Sequence, residues 1–160
     1  MSTEDAELAQ APAIAGPSPH LLVLRAPYYR AVVDGLYEGA ARILRDAGAT
    51  HEMLDVAGAF ELPQGVRIAL RGRTRFDGYV ALGCVVRGET DHYEHICRAA
   101  MEGLMQVALA YGIALGVGLL TVDRIEQARA RAGSDGPNKG AEAAVAALRQ
   151  IDAARRLGAV

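Results

Sequence analysis

Tryptophan is absent from this chain, and Lys139 is the one lysine among 17 basic residues. The bias towards arginine is compositional, but it makes the solitary ammonium worth following. Aromatic residues make up only 5% of the sequence, so a ring placed in a loop stands out. Two cysteines, Cys84 and Cys97, are too few for a disulfide framework and suit a reduced, cytoplasmic protein. There is no excess of positive charge: the net charge is -2 and the pI about 6.1, which argues against a general nucleic-acid binder. No apolar run reaches the roughly 18–20 residues of a membrane span. No leader pattern opens the chain, so no membrane partner is expected.

What is present is an alternation. Residues 1–19 are rich in Ala, Pro, Ser and acids, lack periodicity, and read as a flexible N-terminal arm. Residues 20–160 read as one domain. His20 to Ala26 is a short apolar run with the character of a central strand, ended by Pro27-Tyr28-Tyr29. Val32, Leu36, Ala40, Ile43 and Leu44 then recur at helical spacing until Gly48. Thr50 to Val56 predicts a second strand. Gly58 to Glu61 predicts a loop, and Leu62-Pro63 the start of a helix that ends near Arg71-Gly72. Phe76 to Val86 is the third predicted strand. Asp91 to Tyr111 is a long helix, with Asp91 and Glu94 at capping-box spacing. Ile113 to Thr121 predicts a fourth strand and Asp123 to Ala132 a helix stopped by Gly133. Asn138 is placed to cap a last helix that runs to about Arg156. Strand and helix alternating in this way predict an α/β fold with a parallel sheet and helices on both faces.

In such sheets ligands bind beyond the carboxyl ends of the strands. The loops expected there carry Tyr28, then Gly58 to Glu61, then Arg87 to His92. Gly88-Glu89-Thr90 is either an ordinary turn before a helix or a cradle of N–H groups and a hydroxyl for an anion. His92, in the first turn of that helix, is either a plain surface histidine or a proton carrier working near neutral pH. His92 and His95 are three apart with Cys84 nearby, but the spacing matches no strong zinc pattern, so no metal is expected. Glu61 is either a solvated charge or an acceptor for a polyol. Tyr28 is either a surface ring or a stacking platform for a flat heterocycle. Arg131 is either a favourable charge at a helix C-terminus or a phosphate clamp.

Five segments carry a resemblance: Gly58-Ala59-Phe60-Glu61-Leu62-Pro63; Gly83 through His92; Thr121-Val122-Asp123-Arg124-Ile125-Glu126-Gln127-Ala128; Arg131-Ala132-Gly133; and Asn138-Lys139-Gly140. In order and spacing they resemble the 6,7-dimethyl-8-ribityllumazine synthase family over about His20 to Arg156. The resemblance implies a three-layer sandwich with a flavodoxin-like four-stranded parallel sheet. It implies a transferase of riboflavin biosynthesis that condenses 5-amino-6-(D-ribitylamino)uracil with 3,4-dihydroxy-2-butanone 4-phosphate and needs no cofactor. It implies His92 as the proton-transfer residue. Tyr28, Ala59, Phe60, Glu61, Cys84, Val85, Val86 and Val117 would contact substrate, and Glu89, Thr90, Arg131 and Lys139 would lie at the phosphate.

The resemblance further implies a homopentamer or a multiple of it, a decamer or a 60-mer, with the active site at the subunit interface. Arg131 and His92 would come from one subunit and Val117 from its neighbour, or the reverse. The prolines of the N-terminal arm would disfavour its pairing with a neighbouring sheet. Two departures stand out. Pro27-Tyr28-Tyr29 replaces the usual Arg-Phe-Asn, leaving Tyr28 in the aromatic place, and Val117 replaces a frequent Phe. These leave room for an alternative, a non-catalytic relative that binds flavin or lumazine.

Overall fold

The structure, a computed structural model, describes residues 8–159. Four strands form one parallel sheet in the order β2-β1-β3-β4: β1 His20–Ala26, β2 Thr50–Asp55, β3 Gly78–Val86 and β4 Ala114–Val122. The central pair is apolar on both faces because helices cover both. Leu21 and Val23 of β1, with Val80 and Leu82 of β3, face α1 (Arg30–Asp46) and α5 (Lys139–Arg156). The alternate residues Leu22, Leu24, Tyr79 and Ala81 face α2 (Leu62–Leu70) and α3 (His92–Tyr111). This is the expected three-layer, flavodoxin-like arrangement. Among the described residues no helix is long and apolar enough to cross a membrane.

Several local expectations are corrected. Asp91 does not cap α3: its backbone is helical (φ -65°, ψ -3°) and its side chain takes no cap hydrogen bond. A cap residue has extended backbone so that its oxygen can turn back to the first free N–H groups, and the Glu94 carboxylate is drawn instead to Arg87 at 3.0 Å. The helix expected over 123–132 is only the short α4, Ile125–Arg129. Gln127 Oε1 accepts from the N–H groups of Asp123 and Arg124 at 2.9 and 3.1 Å, which holds those two residues in a turn. Phe76 and Asp77 precede β3; the Asp77 carboxylate accepts from the His20 N–H at 2.7 Å.

Residues 1–7 of the expected arm lie outside the described residues. Residues 8–19 form no strand or helix before β1, yet they are tied down. Ala9, Ala11 and Ile14 pack against the α1/α5 side of the core. Arg155 donates to the Ala15 and Pro17 carbonyls at 2.8 and 2.7 Å, and Ser18 Oγ donates to the Gly48 carbonyl.

A charge also sits where periodicity suggested only core. Arg25, 8% exposed near the end of β1, donates two bonds to Asp55 (2.8 and 3.0 Å) and one to Asp34 (3.0 Å). Its guanidinium lies 5.0 Å above the Tyr37 ring. The bidentate pairing compensates the burial and fixes the C-terminal end of β2 to that of β1.

Helices α1 and α5 pack closely. Asn138 Oδ1 accepts from the N–H groups of Gly140 and Ala141 at 2.9 and 3.0 Å, the expected cap. Its Nδ2 reaches the carbonyls of Gly35, Ala132 and Gly133 at 2.9, 3.1 and 3.2 Å. One buried carboxamide thus joins α1, the loop after α4 and the start of α5. Glycine permits this: a Cβ on Gly39 would occupy the space of the Asn138 carboxamide, and one on Gly140 would strike the Leu36 carbonyl. Asn138→Ala removes a cap and leaves buried carbonyls without donors, so we expect a loss of about 2 kcal/mol or more. Asn138→Asp keeps the acceptor but turns a carboxylate towards three carbonyl oxygens, and should cost at least as much. Urea unfolding, read as a shift in midpoint at constant slope, measures both.

Candidate active site

The loops that follow β1, β2 and β3 enclose a cleft of about 670 Å³ at the carboxyl end of the sheet. Pro27 opens a single 3-10 turn, Pro27–Tyr29, its fixed φ preset for that turn. The turn turns Tyr28 outward, 78% exposed, while the half-buried Tyr29 packs on the core. The two rings meet edge to face at 5.2 Å. After β2 a second 3-10 turn, Ala59–Glu61, is closed by the Glu61 N–H donating to the Gly58 carbonyl at 3.1 Å. Ala59 is buried and anchors the turn, whereas the Phe60 ring is exposed on the cleft wall. Leu62 and Pro63 continue directly into α2.

The floor is the end of β3: Cys84 buried, Val85 and Val86 half-buried. Burial pushes the Cys84 thiol up to about 11. Beyond Val86, the Arg87 N–H extends the ladder to the Val122 carbonyl at 2.9 Å. The Arg87 guanidinium bonds Asp123 at 2.8 Å and Glu94 at 3.0 Å, and lies 4.3 Å over the Tyr93 ring. These contacts hold both ends of the 87–92 loop. They leave Gly88, Thr90 and the exposed His92 along the cleft.

Tyr28, Ala59, Phe60, Glu61, Cys84, Val85, Val86, Thr90 and His92 therefore share one cleft. Glu89 is exposed and does not line it. Val117, Arg131 and Lys139 lie elsewhere, in a separate hollow of about 240 Å³ beside β4. Within one chain, then, Arg131 goes with Val117 and not with His92, a different grouping from the one expected. The reason is the sheet order: β4 is an edge strand, and the segment from Arg131 to Lys139 packs on its far side. In that hollow the Lys139 N–H donates to the Arg131 carbonyl at 2.9 Å, and Arg131 donates to the Gln127 carbonyl at 2.9 Å.

Charge divides in the same way. No arginine or lysine is among the described residues lining the cleft, while the hollow has both Arg131 and Lys139. No group of three or more His, Cys, Asp or Glu side chains is gathered for a metal ion among the described residues. Tyr29, Ala57, Tyr93 and Ile96 also line the cleft, although no motif in the sequence pointed to them. Ile96 could have been found, since it lies one helical turn beyond His92 on the same face.

A family model described as 6,7-dimethyl-8-ribityllumazine synthase matches residues 18–155. A protein of that name from Bartonella tribocorum is 41% identical over 140 residues, covering 88% of this chain and 93% of its own. One from Agrobacterium fabrum is 42% identical over 144 residues, covering 88% and 97%. A 6,7-dimethyl-8-ribityllumazine synthase 1 from Rhizobium meliloti is 42% identical over 144 residues, covering 88% and 94%.

The shifted thiol gives a chemical check on the cleft floor. Cys84, raised from 9.0 to about 11 by burial, should be alkylated by iodoacetamide at pH 8 about 100-fold more slowly in the folded protein than after denaturation, because only the thiolate reacts. Peptide mass spectrometry over a time course reads this directly. Equal rates in the two states would mean that the floor is open.

Proposed function

We infer that this chain, which belongs to the 6,7-dimethyl-8-ribityllumazine synthase family, condenses 5-amino-6-(D-ribitylamino)uracil with 3,4-dihydroxy-2-butanone 4-phosphate. The products are 6,7-dimethyl-8-ribityllumazine, phosphate and water. The observation that carries this reading is the match over residues 18–155, reinforced by a cleft that brings nine of the implied site residues together.

The substrates supply the nucleophiles and electrophiles themselves: the 5-amino group attacks the ketone and an imine forms with loss of one water, phosphate is eliminated and a second carbonyl is formed, and the ribitylamino nitrogen attacks that carbonyl with loss of a second water as the ring closes. The protein's part is mainly to hold two reactants in contact. Good orientation of this kind is worth up to about 7–11 kcal/mol. In this assignment Tyr28 stacks on the pyrimidine, whose edge meets the backbone of Cys84, Val85 and Val86. Ala59, Phe60 and Glu61 hold the ribityl chain, with the Glu61 carboxylate accepting from its hydroxyls. Glu89 and Thr90 flank the phosphate side, and His92 moves protons between amine, imine and leaving oxygen.

A phosphate ester needs cations, and a single chain's cleft offers none among its described lining residues. That supports an active site completed by a second copy, whose hollow brings Val117, Arg131 and Lys139 to the cleft of the first. Arg131 suits the bidentate grip on phosphate and Lys139 adds a second charge. The exposed Met101, Met105 and Leu109 of α3 are apolar surface suited to burial in such an assembly. We propose a homopentamer, or a decamer or 60-mer built from it, as the working form. The free thiols of Cys84 and Cys97 fit a reducing cytoplasm.

Purified protein mixed with both substrates should form lumazine, seen by its fluorescence, faster than the spontaneous reaction; no acceleration would overturn the assignment. His92→Ala should lower kcat by up to about 10²-fold, the scale of a lost acid–base group. Steady-state kinetics indistinguishable from wild type would remove His92 from the mechanism. Arg131→Ala should chiefly raise KM for the butanone phosphate. Light scattering should give a multiple of five chains, and a fully active monomer would rule out the shared site.

A further inference from the structure

We propose that Glu142 is a positioning residue for the phosphate-bearing substrate, acting through Lys139; the proposal rests on the functional reading above. Glu142 stands one turn into α5, and its Oε2 accepts from Lys139 Nζ at 2.6 Å. Both side chains are mostly screened, at 25% and 33% exposure, so this is not a fully solvated surface pair. The other carboxylate oxygen, Oε1, is buried with no hydrogen-bond partner among the described residues. A buried acceptor without a donor is costly to keep. A carboxylate in the first turn of α5 suits the helix N-terminus, but that does not require the 2.6 Å contact by which it holds Lys139.

The chemistry of lysine supplies the need. Its ammonium rides on four flexible carbons, and ordering it on binding costs rotamer entropy. The backbone fixes only the base of that stem, through the Lys139 N–H bond to the Arg131 carbonyl. Glu142 fixes the tip. One of the three ammonium protons goes to the carboxylate, leaving two to face a phosphate oxygen beside Arg131. With Lys139 and Arg131 against one carboxylate, a net positive charge remains in the hollow, enough to attract the ester.

The test is a double-mutant cycle in steady-state kinetics, using the assembled full-length enzyme and both substrates. Glu142→Gln keeps the shape and removes the charge. It should raise KM for the butanone phosphate roughly 3- to 10-fold, within the usual range for coupled neighbours. kcat and KM for the pyrimidine amine should change less than about twofold. In a Lys139→Met background the same substitution should have no further effect, and Glu142→Asp should recover part of the loss. The same fold-change in both backgrounds, or no change in KM, would overturn the proposal. A raised KM in Lys139→Met, with Glu142→Gln alone leaving KM at the wild-type value, would overturn this inference alone. An unchanged KM in Lys139→Met would also overturn the assignment of Lys139 to phosphate, and an inactive wild type would overturn the function itself.

Discussion

Everything on the α1/α5 side of the sheet depends on how closely those two helices approach. The approach is set by the Asn138 carboxamide, which spends both donors and its acceptor on groups from three segments. A single polar group buried to 7% exposure is stable there because no bonding capacity is left over. The loop between α4 and α5 has no core of its own. It hangs from this joint, and with it hang the positions of Arg131 and Lys139. Helix packing on one side of the molecule thus determines where the cations stand on another.

The cleft is held by a different device. Arg87 is exposed, and its pairs with Asp123 and Glu94 contribute little stability as isolated surface bonds. Their value is geometric: they connect the end of β4, the end of β3 and the first turn of α3, the three points between which the 87–92 loop is suspended. The floor at Cys84 and the exposed rings of Tyr28 and Phe60 then give the cleft an apolar surface. The two cavities differ in environment, an apolar cleft and a hollow with both cations; under the proposed function the first would take the ring system and the second the ester.

The architecture was legible because it follows from periodicity and a few stop signals. The apolar runs at His20 to Ala26 and Tyr79 to Val86, Pro63 at the start of α2 and Asn138 at the start of α5 all act locally. What was not legible depends on contacts distant in sequence. The role of Arg25 could not be read from its strand because its partners Asp34 and Asp55 come from two other elements. Asp91 had the spacing of a cap, but Glu94 had a stronger suitor in Arg87. The segment before β1 has a composition usually left free, yet Arg155, some 140 positions away, captures its carbonyls. The separation of Arg131 from His92 required the strand order, which no local motif encodes.

The contact at Gly140 has a bearing on how this protein can change over generations. Where a side chain fills the space a new Cβ would need, a second substitution can trim that side chain and reopen the path. Here the obstacle is the carbonyl oxygen of Leu36, which every residue at position 36 possesses. No replacement at 36 can make room, so a side chain at 140 can be admitted only by moving the backbone of one helix against the other. The helix crossing thus rests on the absence of a side chain at one position, and not on the choice of side chains around it.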